Sequence, residues 1–174
     1  MPSLPSSKAT FYQYTLLQKI TYNRQLLRLY ITLACLFLIG ETLLWGPLGL
    51  LYGIISFFFI IWIHFVIIRS VLLIAREPIR KKWRFRIILP WIGFLPEQYI
   101  SYRILTKVHR HLTWLGFCII AILYPWSPIS FVISAVLWHL WFIFPRLFSF
   151  FRFRKQHQNG IVKLTQTEML YYKQ

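Results

Sequence analysis

The sequence contains no aspartate and only four glutamates, Glu41, Glu77, Glu97 and Glu168, which lie in four separate segments. General acid–base catalysis and carboxylate metal sites need carboxyl groups held close together, and this spacing predicts neither. The chain also has no glycine-rich phosphate loop, no HExxH helix and no CxxC pair. We therefore expect a protein that is not an enzyme, with no cofactor, no metal and no catalytic residue.

Cysteine occurs only twice, at Cys35 and Cys118, and two cysteines alone do not make a metal site. Each lies seven residues after the last basic or histidine residue of its flank, Arg28 and His111 respectively. The two cysteines are therefore expected at equal depth in the first and third membrane helices, which would allow these helices to touch. We interpret both as small apolar side chains packed in a helical bundle that faces a reducing cytoplasm.

Charged residues are also scarce, at 14% of the chain against 57% hydrophobic residues. A soluble domain averages about 25% charged residues. The apolar residues form long runs at 29–45, 50–68, 112–124 and 129–145, paired across proline-containing turns at 46–49 and 125–128. A membrane helix needs about 20 apolar residues, and the shortest run is expected to start its helix within the preceding segment. The sequence therefore predicts an all-α integral membrane protein with two transmembrane helical hairpins, about four spans.

All twenty Lys and Arg residues lie outside those runs and turns, and positive residues beside membrane helices stay in the cytoplasm. No cleavable signal peptide or transit peptide is predicted. We therefore expect a bacterial cell (inner) membrane protein with both termini inside. The predicted order is a cytoplasmic arm (1–28), a first hairpin (29–68), a basic loop (69–111), a second hairpin (112–145) and a basic tail (146–174).

The central loop is patterned in a way that a simple connector would not need. Its uncharged run at 87–96 is too short to span a bilayer, so we expect it to lie in or dip into the inner interface. Trp83 and Trp91 are expected at headgroup depth. From 100 to 112 apolar residues recur every four positions, which predicts an amphipathic surface helix leading into the third span.

Basic residues interleaved with aromatic ones form the candidate binding surface. Such clusters anchor a protein to anionic membrane lipids, at roughly 1 kcal/mol per basic residue, or dock a partner with an acidic face. Direct nucleic-acid binding is the less favoured interpretation, because membrane orientation already accounts for the charge. The candidate partner- or lipid-binding residues are Arg80, Lys81, Lys82, Trp83, Arg84, Arg86, Arg103, Lys107, Arg152, Arg154 and Lys155.

Three ionisable residues, Glu41, His64 and His139, fall within the predicted spans. Buried ionisable groups in membranes are costly, so these three are candidates for a proton or ion path. The positions of these residues across the membrane favour local hydrogen bonding instead, because Glu41 lies near the outer turn and both histidines lie near the inner end of their helices. We therefore favour a structural role for all three.

Three polar or basic segments flank the predicted helices: Tyr22-Asn23-Arg24, Lys81-Lys82-Trp83-Arg84-Phe85 and Arg152-Phe153-Arg154-Lys155. In this layout the whole chain resembles the small multi-pass membrane subunits of Gram-positive conjugation machines, the TcpE family. The resemblance implies a structural component of a type IV secretion channel for DNA transfer, encoded on an integrative and conjugative element. It also implies contact with other channel subunits and a VirB-type ATPase.

The sequence leaves two other functions open. It also does not determine the oligomeric state. The chain has the layout of an accessory membrane subunit of a polysaccharide synthase, whose small partners combine helical hairpins with basic tails. A small transporter or channel is the other alternative, and it would depend on the polar residues within the spans.

Overall fold

The computed structural model describes residues 15–77, 82–154 and 160–173. Within them the expectation of an all-α fold is wrong, because three helices are combined with two antiparallel sheets. The elements are β1 (Thr15–Thr21), α1 (Arg24–Ile74), β2 (Trp83–Ile88), β3 (Trp91–Pro96), β4 (Ile100–Ser101), α2 (Tyr102–Leu123), α3 (Ile129–Arg152), β5 (Ile161–Leu164) and β6 (Glu168–Lys173).

Helix α1 is broken at Gly46, whose backbone angles (φ 65°, ψ −154°) are not helical. Glycine adopts such a positive φ without the clash that a Cβ would cause, and Pro47 directly after it lacks a helical N–H. A methyl group added at Gly49 would overlap the backbone carbonyl of Glu41. A straight helix would hold these two residues about 12 Å apart, so the arms before and after Gly46 fold back on each other.

Helix α3 packs against both arms of α1. The ring of Trp138 lies edge-on to Phe37 of the first arm and to Phe57 of the second, at centroid distances of 5.3 and 4.8 Å. Its indole N–H donates to the backbone carbonyl of Gly53 at 2.8 Å. Helix α2 contacts both α1 and α3, and the three helices form one bundle.

The larger sheet has the strand order β1-β6-β5-β4, so the first and last described strands of the chain pair with each other. In this antiparallel pair Lys19 lies opposite Leu170 and Thr21 opposite Glu168. Along β5 and β6 the buried side chains alternate with less buried ones, as expected for strands with one face on a core. The smaller sheet is the β2–β3 hairpin.

Strand formation changes the interpretation of the central loop. Residues 87–96, expected as an interfacial or re-entrant segment, lie within the β2–β3 hairpin. Trp83 and Trp91, expected at headgroup depth, are only 5% and 1% exposed and pack inside the protein. Each of these short strands is stabilised by a partner strand that local periodicity does not reveal.

The strands all adjoin the helices at one end of the bundle, here called the strand end. Strand β1 precedes α1, β2 follows it, β4 precedes α2 and β5 follows α3. The opposite end, here called the turn end, holds the break at Gly46 and the turn at 124–128. Of the described helices, Arg24–Ile74 and Ile129–Arg152 are long and apolar enough to cross a membrane by length and composition.

Candidate functional site

The exposed basic side chains gather at the strand end. They stand on strands and on the adjoining turns of helices, whereas residues 29–68 and 111–145 contain no Lys or Arg. The described basic residues of this surface, here called the basic face, are Lys19, Arg24, Arg28, Arg69, Arg76, Lys82, Arg84, Arg86, Arg103, Lys107, Arg110, Arg152, Arg154, Lys163 and Lys173.

Most of the predicted binding residues are accessible on this face. Five are exposed: Arg84, Arg103, Lys107, Arg152 and Arg154. Lys82 and Arg86 are half-buried, whereas Trp83 is buried and is removed from the set of contact candidates. The remaining three, Arg80, Lys81 and Lys155, lie outside the described residues.

Few carboxylates oppose this positive charge in the described part of the chain. Lys19 pairs with Glu168 at 2.6 Å, and Arg84 pairs with Glu97 at 3.4 Å. Both pairs are solvent-exposed to a degree that limits each to about 1 kcal/mol or less. The basic face therefore keeps most of its charge available for a ligand or partner.

A second polar feature lies inside the bundle, where His64 meets His139. The distance from Nε2 of His64 to Nδ1 of His139 is 2.8 Å, and both rings are buried. Nε2 of His139 lies 3.2 Å from the carbonyl of Thr113. Because a carbonyl only accepts, the Nε2 of His139 donates, its Nδ1 accepts, and Nε2 of His64 donates to it.

The structure thus brings together two of the three predicted intramembrane polar residues but not the third. Glu41 lies at the turn end, where its backbone carbonyl faces Gly49. The two histidines use their ring nitrogens on each other and on a backbone carbonyl. This arrangement joins the second arm of α1 to α2 and α3 by hydrogen bonds within the bundle.

Sequence reasoning missed Arg146, which it assigned to the basic tail. Arg146 is only 2% exposed, and its Nη2 donates to the carbonyl of Ile92 on β3 at 2.6 Å. Its Nε and Nη1 are buried without a hydrogen-bond partner. No signal in the sequence distinguished it, since Arg69, which is exposed, also has five uncharged residues on each side.

Tyr22 connects the segment before α1 to the same region. Its hydroxyl donates to the carbonyl of Pro145 at 2.5 Å and lies 2.8 Å from the hydroxyl of Ser149. Burial raises the pKa of Tyr22 above its ordinary value, against a lowering effect of the Ser149 hydrogen bond, so the phenol stays protonated and can donate. Its ring lies edge-on to Trp91 at 5.2 Å.

An apolar groove of about 490 Å³ runs between the first arm of α1 and α3. The polar atoms of its aromatic lining are turned inward. Tyr30 donates its hydroxyl to the carbonyl of Trp141 at 2.7 Å, and the Trp141 indole donates to the carbonyl of Tyr30 at 3.0 Å. The groove therefore presents carbon surface, as on Leu33 and Phe144, and is suited to hydrocarbon.

The cysteines take positions that differ from the expected interior packing. Cys35 and Cys118 are free and exposed on α1 and α2, so both face outward from the bundle. Among the described residues no group of three or more His, Cys, Asp or Glu is placed to hold a metal ion.

Comparison of the chain with protein-family models, with curated proteins and with solved structures finds no match. The resemblance to the TcpE family therefore stays a prediction from the layout of the sequence. The function is inferred below from the placement of apolar and basic surface in this chain.

Proposed function

We propose that this chain is a non-enzymatic, multi-pass membrane protein that docks a cytoplasmic partner on its basic face. The observation that carries the proposal is the separation of two surfaces, an apolar one around the helices and a basic one at the strand end. The apolar surface fits the hydrocarbon of a membrane, and the basic surface fits the cytoplasm. Together they define the orientation of the chain in the membrane.

The apolar surface is too extensive for a protein surrounded by water. Leu43 and Trp126 near the turn end are 81% and 80% exposed, and Phe58, Trp62 and Trp114 on the helix sides are also exposed. Soluble monomers rarely expose contiguous apolar patches larger than a few hundred Å². Hydrocarbon around the helices removes this surface from water, and it also fits the carbon-lined groove.

The orientation follows from the basic face. Lys and Arg beside membrane helices are retained in the cytoplasm, so the strand end lies inside and the turn end outside. Because β1 pairs with β6, both described ends of the chain lie at the strand end, which is the cytoplasmic side in the proposed orientation. The sheets then stand where anionic headgroups and cytoplasmic proteins are both within reach.

The partner is a protein with an acidic surface. Exposed Arg84, Arg103 and Arg152 belong to three different elements, so a binding surface assembled from them exists only in the folded chain. Opposite charge across an interface steers association and selects the partner. The layout resemblance suggests that this partner is the transfer ATPase of a conjugative type IV secretion channel, with other channel subunits beside it in the membrane.

Photocrosslinking in intact membranes tests the docking proposal. Phe85 is exposed on β2 between Arg84 and Arg86, and a photoreactive residue there lies beside these two arginines, on the opposite side of the strand. Trp83 and Phe153, at 5% and 0% exposure, are unsuitable positions. We expect a cytoplasmic protein to be captured at position 85 but not at Trp126, the matched position at the turn end. Capture of lipid alone at both positions would contradict docking.

Charge variants separate docking from nucleic-acid binding. The double substitution Arg84→Glu and Arg86→Glu should abolish capture at position 85, whereas Arg84→Lys with Arg86→Lys should retain most of it because the positive charge remains. Nuclease treatment should leave the crosslink intact. A crosslinked species that disappears with nuclease would identify nucleic acid as the bound partner and overturn the proposal.

A deletion strain tests the suggested pathway. If the chain belongs to a conjugation channel, its loss should reduce DNA transfer to recipient cells without slowing growth. Normal transfer in the deletion strain would remove that assignment while leaving docking itself intact. Loss of an exported polysaccharide with unchanged transfer would instead assign the chain to a synthase.

A further inference from the structure

The apolar groove between the first arm of α1 and α3 is open along the side of the bundle. Its floor is formed where the two helices touch, and there the ring of Tyr30 stacks on that of Trp141 at a centroid distance of 3.9 Å. Its sides are apolar side chains, of which Leu29 on α1 and Phe144 on α3 are 57% and 64% exposed. The groove therefore offers carbon surface to a ligand that approaches from the surroundings of the helices.

The groove is as long as one leaflet of a bilayer is deep. Its lining extends along α1 from Leu26 to Phe37 and along α3 from Leu137 to Phe148. Eleven residue steps at 1.5 Å each give a length of about 16 Å on either helix. Half of the hydrocarbon core of a bilayer is about 15 Å. Because Leu26 and Phe148 lie toward the strand end, the groove corresponds to the cytoplasmic leaflet in the proposed orientation.

The strand end of the groove, here called the mouth, has basic side chains beside it. Arg152 follows Phe148 by four residues and Arg24 precedes Leu27 by three, spacings at which residues are neighbours on a helix surface. Helical side chains tilt toward the helix N-terminus, so that of Arg152 is directed back toward Phe148. Both arginines are exposed, and neither takes part in the two ion pairs of the described residues. Their charge is therefore available to an anionic group at the mouth.

We propose that the groove binds one anionic phospholipid of the cytoplasmic leaflet, with an acyl chain along the groove and the phosphate at Arg152 and Arg24. This inference rests on the proposed membrane location and adds a selected lipid to it. The groove volume of about 490 Å³ lies within the range of about 300–1,000 Å³ found for small-molecule sites. A partner helix about 10 Å in diameter and 16 Å long occupies about 1,250 Å³, which is too large for the groove.

The charge at the mouth selects the headgroup. Guanidinium groups bind phosphate oxygens through paired N–H donors. In phosphatidylcholine the quaternary ammonium group cancels the phosphate charge and would face the same arginines, whereas phosphatidylglycerol keeps a net negative charge. We therefore expect the groove to take phosphatidylglycerol in preference to phosphatidylcholine.

Photolabelling of the purified full-length chain in lipid vesicles tests the site. The vesicles contain phosphatidylcholine and a small fraction of phosphatidylglycerol with a diazirine in its acyl chain, and labelled peptides are identified by mass spectrometry. We expect unlabelled phosphatidylglycerol to lower the labelling of residues 26–37 and 137–148 more strongly than an equal amount of phosphatidylcholine does. Labelling around Trp114, which is exposed on α2, should fall equally with both lipids.

The outcomes separate this inference from the membrane proposal. Equal competition by the two lipids in the groove would overturn the site and leave the membrane location intact, because the groove would then contact bulk lipid only. Label around Trp114 without label in the groove would overturn the site in the same way. Absence of label from both regions would contradict the membrane location itself.

A substitution that fills the groove assigns the binding to it. Ala34 lies in the groove lining, and the ring of Ala34→Phe would take the place of the acyl chain, so the selective labelling should disappear. Ala121→Phe is the matched control, because Ala121 is exposed on α2 and does not line the groove. Selective labelling that persists in the Ala34 variant would overturn the proposal.

A charge substitution tests the mouth. Arg152→Gln should weaken competition by phosphatidylglycerol about fivefold, the effect expected for one basic residue beside an anionic lipid. Arg110→Gln, at an exposed site on α2, should leave the competition unchanged. An equal loss in both variants would show that the net charge of the protein selects the lipid, and it would overturn the assignment of the headgroup to the mouth.

Discussion

His64 and His139 share a 2.8 Å hydrogen bond although 75 residues separate them in the sequence. His139 in turn donates to the carbonyl of Thr113, so one chain of hydrogen bonds ties the second arm of α1 to α3 and α2. A satisfied buried network of this kind fixes how helices pack, and a partly broken one is costly. We therefore expect substitutions of the two histidines to have non-additive effects on the free energy of unfolding.

A double-mutant cycle on this pair should show positive coupling. His64→Ala leaves a cavity and an unpaired nitrogen on His139, and we expect a loss of about 2–4 kcal/mol in unfolding free energy. His139→Ala should cost a similar amount, and the double variant should cost less than the sum by about 1 kcal/mol. Denaturant unfolding in mixed micelles measures each value. His111→Ala, which removes only a bond within its own helix, should change stability by less than about 0.5 kcal/mol.

Gly116 on α2 is where the chain leaves room for the His139 ring. A methyl group at this position would overlap that ring, which hydrogen bonds hold on both sides. We expect Gly116→Ala to destabilise the protein by about 1–3 kcal/mol through overpacking. Gly40 is the matched control, because a methyl group there meets no atom within 4 Å. Gly40→Ala should be neutral or stabilising by up to about 1 kcal/mol, and equal losses at both sites would contradict the proposed packing.

The pairing of β1 with β6 can be tested by engineered disulfides. With Cys35 and Cys118 replaced by serine, Thr21→Cys and Glu168→Cys lie directly opposite each other and should crosslink rapidly on mild oxidation. Thr21→Cys with Tyr172→Cys is offset by four residues, about 13 Å along the strand, and should crosslink poorly. Mobility on a non-reducing gel distinguishes the two. Equal yields would argue against the observed register.

Thiol labelling of intact cells tests the orientation. In the same cysteine-free background, Trp126→Cys at the turn end should react with a membrane-impermeant maleimide, because the turn end lies outside. Arg84→Cys at the strand end should react only after the membrane is permeabilised. Labelling of Arg84→Cys in sealed cells would reverse the proposed orientation, and labelling of neither position after permeabilisation would show that both are protected.

The sequence by itself determined which parts of the chain are apolar and where the basic charge lies. Long uncharged runs and the placement of every Lys and Arg are local facts, and the helices and the basic face follow from them. The exposed positions of Arg103 and Arg152 needed no knowledge of distant contacts, because charged side chains in short flanks seldom find buried partners.

Only the tertiary structure decided the sheets, the histidine pair and the burial of Arg146. Strand β1 depends on β6, about 150 residues away, and a strand of four to seven residues has little signature without its partner. In the sequence Arg146 resembles any arginine that flanks an apolar run, and only its contact with β3 shows that it is buried. Local patterns fix which surfaces are apolar or charged, whereas contacts between segments far apart in sequence fix which polar groups are buried together.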